Sequence, residues 1–284
     1  MSGHCFFVSD LHGSRDRYST LFAAIEEEKP QAVFLGGDLL PHHWAEQLAG
    51  GDFIGDVLVA GFGLLRQKLV DAAPRVFVIL GNDDDRASEQ IIIEGEEAGL
   101  WSYAHERWGS IDSHAVVGYA YVPPTPFMLK DWERYDVSRF TDAGCVSPEQ
   151  GQRTVAVDPD EIRYGTIVAG LARLTEDRDL EKTVCLFHSP PYRTDLDRAA
   201  LDGRTVDHAP LDVNVGSIAI QRFIEDRQPL LTLHGHIHES PRLTGNWRQK
   251  IGRTHAFTAA HDGPELALVR LDLDDLDSAT RQLL

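Results

Sequence analysis

The sequence predicts an α/β fold in which helices cover a sheet. Three observations predict it: short apolar runs that end in Asp, Gly or Asn, amphipathic stretches between them, and a regular alternation of the two. The runs are residues 5–10 (CFFVSD), 32–38 (AVFLGGD) and 75–82 (RVFVILGN). Their continuous apolar character marks strands buried on both faces. Between them, residues 18–29 and 53–72 space apolar side chains three and four apart, the period of a helix with one buried face. Strand and helix in turn at this rhythm define an α/β chain.

The second half repeats the theme less regularly. Residues 86–99 carry a helical pattern after Asp83, Asp84 and Asp85, where negative charge suits a helix N-terminus. Residues 115–121, 183–189 and 230–234 read as strands, and 217–226 (SIAIQRFIED) as a helix before the last of these. Residues 255–260 and 265–273 read as a closing hairpin, the latter alternating apolar and polar. The chain has no internal repeat, low-complexity stretch or linker, so one domain over residues 1–284 is expected. Two segments resist assignment: 122–159, which opens with Pro123, Pro124 and Pro126 and carries Trp132 and Tyr135, and 190–216, which stays polar. Irregular segments of that length in a compact domain are often functional, and these are the expected substrate-facing walls.

Composition narrows the function. An apolar fraction of 42% with 25% charged residues over 284 positions argues against disorder and against a disulfide-stapled miniprotein. The longest apolar run, 57–65, is far short of the about 20 residues a membrane helix needs. No secretory leader is legible. Cys5, Cys145 and Cys185 are odd in number and far apart. No disulfide framework or metal knuckle follows, and Cys5 and Cys185, in strand-like apolar runs, read as buried thiols in a reducing compartment, the cytoplasm. The 27 Lys and Arg against 45 Asp and Glu leave a net charge of −18. Binders of nucleic-acid backbones show the opposite surplus. A small phosphorylated substrate, met through cations the protein recruits, fits better than a polymer or a membrane.

The chemistry-bearing residues fall at strand ends. Asp10-Leu11-His12 ends the first run, Asp38 the second and Asn82 the third; His188 ends 183–189, and His236 and His238 follow the strand at 230. In open α/β sheets the crevice outside the carboxyl ends of the strands is where ligands bind. Side chains two apart on an extended segment share a side, so Asp10 with His12, and His236 with His238, are expected to face one ion. Gly36, Gly37, Gly81 and Gly235 permit close backbone approach there. Carboxylate, imidazole and amide ligands suit Mn²⁺, Fe²⁺ or Zn²⁺ and not a thiolate site. Seven ligands exceed one tetrahedral ion, so two ions sharing a carboxylate is the simplest account.

Taken in order, Asp10-x-His12, Gly37-Asp38, Gly81-Asn82, a lone His188 and Gly235-His236-x-His238 resemble the calcineurin-like metallophosphoesterases, over Asp10 to His238. Each piece is weak alone; five in order after strands are specific. The resemblance implies a double β-sandwich flanked by helices, a four-layer α/β/β/α fold. It implies a two-metal phosphoester hydrolase in which a metal-bound hydroxide attacks phosphorus. Asp10, His12 and His238 would hold the first ion, and Asn82, His188 and His236 the second, with Asp38 between them. Asp38, Asn82 and His236 are thereby the expected catalytic residues. One position departs: Asp83 stands where many members carry a histidine given the role of leaving-group acid or phosphate contact. An ionised Asp repels phosphate, which shifts the expectation from monoesters toward phosphodiesters or substrates with good leaving groups.

Several residues carry a functional and a bland reading together. His42 and His43 follow Asp38 closely and are candidate substrate contacts or a solvated loop pair. Arg193, after Tyr192, is a candidate phosphate clamp or a surface arginine. His234 reads as structural, and the acidic runs 26–28 and 272–277 as solvated surface. His4, His105, His114, His208, His255 and His261 belong to no pattern. Two rivals to a small-substrate hydrolase are a metal-dependent nuclease, which the charge disfavours, and a metal-binding interaction module on the same fold with little turnover. Oligomeric state leaves no sequence signal.

Overall fold

The computed structural model describes residues 4–42 and 51–284. In chain order its elements are β1 (His4–Val8), α1 (Arg15–Glu28), β2 (Ala32–Gly36), a π-helical turn (Ile54–Val59), α2 (Ala60–Leu69), β3 (Arg75–Ile79), α3 (Glu89–Glu97), β4 (Ser102–Tyr103), β5 (Trp108–Ile111) and β6 (His114–Tyr119). There follow α4 (Pro159–Tyr164), α5 (Ile167–Leu174), β7 (Thr183–Phe187), the short pair β8 (Thr205–Val206) and β9 (Ala209–Pro210), α6 (Ile218–Arg227), β10 (Leu231–His234), α7 (Ser240–Thr244), β11 (Arg248–Ile251), β12 (Thr254–Thr258), β13 (Ala267–Asp272) and β14 (Asp275–Leu283).

Two six-stranded sheets result. The first runs β14-β13-β1-β2-β3-β4, with β1 to β4 parallel and β13–β14 antiparallel at one edge. The second runs β11-β12-β10-β7-β6-β5, its four central strands parallel and β11 and β5 antiparallel at the edges. β2 lies against β7, and β3 against β6, so the sheets face one another. Phe6, Phe7, Phe34, Phe77 and Phe187 are buried, each worth about 1.5–3 kcal/mol on folding. On the flanks, α1 meets α2 through Phe22 and Phe62, ring centroids 5.2 Å apart, and α6 meets β7 through Phe223 and Phe187 at 5.8 Å. The fold is therefore mixed α/β, two sheets flanked by helices, as the motif order implies.

Side-chain caps mark the starts of α1 and α6. Ser14 accepts from Arg17 N at the start of α1. Ser217 accepts from Ile220 N at the start of α6, where Asp136 also accepts from Ile218 N at 2.7 Å. The stretch 53–72 is not one regular helix. It opens as the π-helical turn, continues as α2 and ends in a 3₁₀ turn. Gly55, Gly61 and Gly63 lower its helical propensity.

The expected closing hairpin is wrong. β12 pairs with β10 and β11 in the second sheet, whereas β13 crosses to the first and pairs with β1 and β14. Alternation reports a half-buried strand but not its partner, and the connector over 259–266 is long enough to change sheets. The acidic run 272–277 is correspondingly the β13–β14 turn, with Asp272 opposite Asp275. Cys5 and Cys185 are buried. Among the described residues no helix is long and apolar enough to cross a membrane.

The two irregular segments are anchored beside the strand ends. In 122–159, Trp132 is buried, Lys130 and Glu133 form a buried ion pair, and Asp131 accepts from Arg86 N at 2.8 Å. In 190–216 the buried Asp197 accepts from Arg193 N, Thr194 N, Gly216 N and Asn214 Nδ2.

Candidate metal centre

Every strand named in the sequence as leading to a ligand-type residue ends at one edge of the molecule. Asp10 and His12 follow β1, Asp38 follows β2, Asn82 follows β3, His188 follows β7, and His236 and His238 follow β10. The extended geometry expected for the two pairs is not what places them. β1 ends at Val8 and β10 at His234. Asp10 (φ 57°), His12 (φ 44°), Asp38 (φ 52°) and His236 (φ 75°) all adopt the left-handed conformation. Such residues cost about 1–3 kcal/mol each and persist where surrounding structure over-determines them. Here a ladder past the strand ends does so: Asp10 N donates to Gly37 O at 2.9 Å, His12 N to Asp38 O at 2.8 Å and Gly13 N to Leu39 O at 3.0 Å.

The side chains converge in two sets. Ligand atoms of Asp10, His12, Asp38 and His238 lie within 4.8 Å of one another, as do those of Asp38, His188 and His236, and Asp38 is common to both. His12 Nε2 is 3.0 Å from His238 Nε2, and His238 Nε2 is 3.3 Å from Asp10 Oδ1. His188 Nε2 is 3.2 Å from Asp38 Oδ2 and 3.1 Å from Asn82 Oδ1, which brings the amide into the second set.

Further hydrogen bonds, most of them from outside the sets, aim these side chains. His188 Nδ1 lies 2.8 Å from Gly36 O; a carbonyl only accepts, so the ring proton sits there and Nε2 faces the centre. Asp10 accepts from Ser9 Oγ at 2.5 Å and from His236 N at 2.9 Å, and Asp38 Oδ1 accepts from Asp83 N at 2.8 Å. Two glycines allow the closeness. A Cβ on Gly81 would stand 2.3 Å from Asp38 Oδ1, and one on Gly235 2.7 Å from Asp10 Oδ2.

Charge and burial pull against each other at Asp10, Asp38, His188 and His238. Burial disfavours ionised Asp10, yet hydrogen-bonded His238, with His188 and His12 nearby, holds its carboxyl well below the usual range. Burial likewise opposes the charge on Asp38, and His188 pulls it down to about 2. In turn, burial works against charged His188 and His238, but Asp38 raises the first to about 10 and Asp10 the second to about 9. Loss of solvent and the neighbouring His188 charge push His236 down to about 3. Two buried carboxylates thus demand positive charge between them.

The remaining candidates divide. Asp83 Oδ2 lies 3.5 Å from His12 Nδ1, so its carboxyl faces a ligand ring; burial and Asp38 raise its pKa. His42 is exposed and near enough to influence Asp83. His43 lies outside the described residues. Arg193 is exposed, 5.2 Å over the Tyr192 ring, and belongs to neither set. His234 is structural: Nδ1 lies 2.9 Å from Ser189 O and Nε2 2.8 Å from Thr232 Oγ1.

Sequence reasoning missed Asp84, which it read as helix-terminal charge. Asp84 is fully buried and accepts from Leu39 N, Leu40 N and Gly81 N, tying the loop after β2 to the loop after β3. Burial and Asp38 push it up to about 8 against the pull of those donors. Only Asp85 of the acidic triplet caps as expected, accepting from Ser88 N. The triplet directly after Gly81-Asn82 was the one available signal.

A family model for calcineurin-like phosphoesterases matches residues 4–240. The chain belongs to that family. Solved structures carry the same fold at low identity. The protein TT1561 of Thermus thermophilus is 15% identical with a TM-score of 0.58, covering 100% of this chain and 99% of that one. A phosphopantetheinyl hydrolase from Mycobacterium tuberculosis is 12% identical with a TM-score of 0.55, covering 92% and 90%. A dimetal phosphatase from Danio rerio is 13% identical with a TM-score of 0.50, covering 96% and 93%. No curated protein matches the chain. The family's members use divalent metals, and the two side-chain sets are candidate ligand groups for them.

Proposed function

We propose that this calcineurin-like phosphoesterase is a two-metal hydrolase of a small phosphodiester or phosphomonoester, a nucleotide-like ester included. The observation that carries the reading is the pair of ligand sets sharing Asp38. The donors fit divalent cations: oxygen and imidazole nitrogen without thiolate suit Mn²⁺, Fe²⁺ or Zn²⁺. Asp10, His12 and His238 would hold one ion, Asn82, His188 and His236 the other, and Asp38 both. Bound there, the ions would acidify water to a pKa of about 7 and neutralise phosphoryl oxygens. That answers how a chain of net charge −18 handles an anion.

The chain's own residues do the positioning. Asp38, fixed by Asp83 N, sets the separation of the two sets. His188, fixed by Gly36 O, presents Nε2 alone. Asp83 places a carboxyl beside His12 where a histidine would offer a proton or a cation. This favours diesters, or esters with good leaving groups, over alkyl monoesters. The test is hydrolysis of bis-p-nitrophenyl phosphate and p-nitrophenyl phosphate with added Mn²⁺, before and after chelation. Mn²⁺-dependent turnover, stronger on the diester, is expected. Absence of turnover on both esters and on a nucleotide panel would favour a binding module.

A further inference from the structure

Arg17 lies in the first turn of α1, outside both ligand sets and outside every motif in the sequence. Its guanidinium nevertheless touches the centre's backbone. Nη1 donates to Asp10 O at 2.5 Å, Nη2 donates to Gly263 O, and Nε donates to Pro264 O at 3.3 Å. All three acceptors are main-chain carbonyls, and they come from two segments far apart in sequence. Gly263 and Pro264 sit in the connector that leaves β12 in the second sheet for β13 in the first. The same connector is held by a second arginine, Arg242 of α7, whose Nε donates to Asp262 Oδ2 at 2.8 Å. α7 begins two residues after His238. The guanidinium thus ties the Asp10 backbone to the connector, which Arg242 of α7 holds in turn.

Asp10 is the residue whose backbone most needs such a partner. It is left-handed at φ 57°, and its carboxylate is held by Ser9 Oγ and His236 N in one orientation. A rotation of the Asp10 peptide would carry the Cβ, and the carboxylate with it, away from His238. A charged, planar donor that ties the Asp10 carbonyl to a second, independently anchored segment opposes that rotation.

We propose that Arg17 is a positioning residue of the metal centre, locking the Asp10 backbone so that its carboxylate faces His12 and His238. The proposal rests on the two-metal reading and adds the residue that sets affinity at the first of its two sites. Groups one shell beyond the ligands typically change metal affinity by about 10- to 100-fold. Arg17→Met should therefore weaken the first Mn²⁺ site by that factor and leave the second, on Asn82, His188 and His236, within about threefold. Arg17→Lys keeps the charge but cannot span three carbonyls, so an intermediate loss is expected.

The measurement is a competitive-chelator titration of Mn²⁺ into each protein, paired with the unfolding midpoint of the metal-free form. Selective weakening of one site, graded Met beyond Lys, with metal-free midpoints close to wild type, is the expected result. Unchanged affinity in both variants overturns it. So does equal weakening of both sites in step with a fall in the metal-free midpoint, which would make Arg17 a fold residue only. Should Arg17→Met fail to fold, Arg17→Lys decides by the same two criteria. A wild-type protein that binds no Mn²⁺ overturns the two-metal reading itself, before any variant is compared.

Discussion

Gly81 offers the sharpest test of how closely the centre is built. Its Cα is buried between Asp38 and His188. An added Cβ would stand 2.3 Å from Asp38 Oδ1, 2.5 Å from Asp38 N and 2.7 Å from His188 Nε2. Contacts between non-bonded heavy atoms settle near 3.5 Å, so something must move by about 1 Å. Neither neighbour can retreat freely, because Asp38 Oδ1 holds Asp83 N and His188 Nδ1 holds Gly36 O. A displacement of about 1 Å at reacting groups can cost about 100-fold in rate. Overpacking of a closed interior costs about 1–3 kcal/mol of stability. Gly81→Ala is therefore expected to lose about two orders of magnitude in kcat/KM on bis-p-nitrophenyl phosphate and to hold fewer than two Mn²⁺ per chain by elemental analysis. The control is Gly63→Ala on α2, where a Cβ meets nothing within 4 Å. That change should leave activity alone and add up to about 1 kcal/mol of stability. Wild-type turnover and metal content in Gly81→Ala would refute the reasoning, since the ligand atoms would then tolerate an intruder at bonding distance.

Three further outcomes are expected. Asp38→Ala removes the one carboxylate common to both sets; activity should fall severely and bound metal drop below two ions per chain, and full activity would rule out the shared-ligand assignment. Asp83→His restores the donor many family members carry, so the ratio of monoesterase to diesterase activity should rise; an unchanged ratio sinks that account of Asp83. His105 lies outside the centre. Burial, with Arg134, Arg86 and Arg107 nearby, pushes its pKa well below the usual value, and Nδ1 accepts from Ala120 N at 3.0 Å. An unfolded chain takes up that proton as pH falls through about 6.5 while the folded one does not, so stability drops by about 1.4 kcal/mol per pH unit below that point. His105→Asn should flatten the slope in urea unfolding between about pH 5 and about pH 7; equal slopes in both proteins would show that His105 is not the group responsible.

What the sequence makes legible is local and repetitive. The central strands announce themselves because both faces are buried, so runs such as residues 32–36 carry no polar interruption. The ligand residues are legible because they follow those runs at short, fixed offsets. Edge elements are not: β14, DLDSATRQL, buries only Leu276 and Ala279 and reads as polar surface. Partner choice is equally silent, which is why β12 and β13 look like one hairpin while each pairs in a different sheet. Within the site, side-chain identity is visible and backbone conformation is not. Nothing in Asp-Leu-His declares left-handed angles at Asp10 and His12. Asp84 and Arg17 bind backbone groups of distant residues, a role that leaves no periodicity or spacing behind.

That distinction explains where the centre gets its rigidity. Its residues are also fasteners between the two sheets. His188, from the second sheet, bonds Gly36 O of the first; His236 N, from the second, bonds Asp10 of the first. His12 meets His238, and Asn82 meets His188, across the same seam. Each link is short and polar, set where β2 faces β7 above a core of buried rings. Four left-handed residues and two buried carboxylates would each be costly alone. They persist because the centre's polar groups are paired across the seam, so relaxing one would break bonds in both sheets. Side chains held this way cannot spread when charge accumulates between them, and on the proposed two-metal reading that rigidity would fix the distance between the cations.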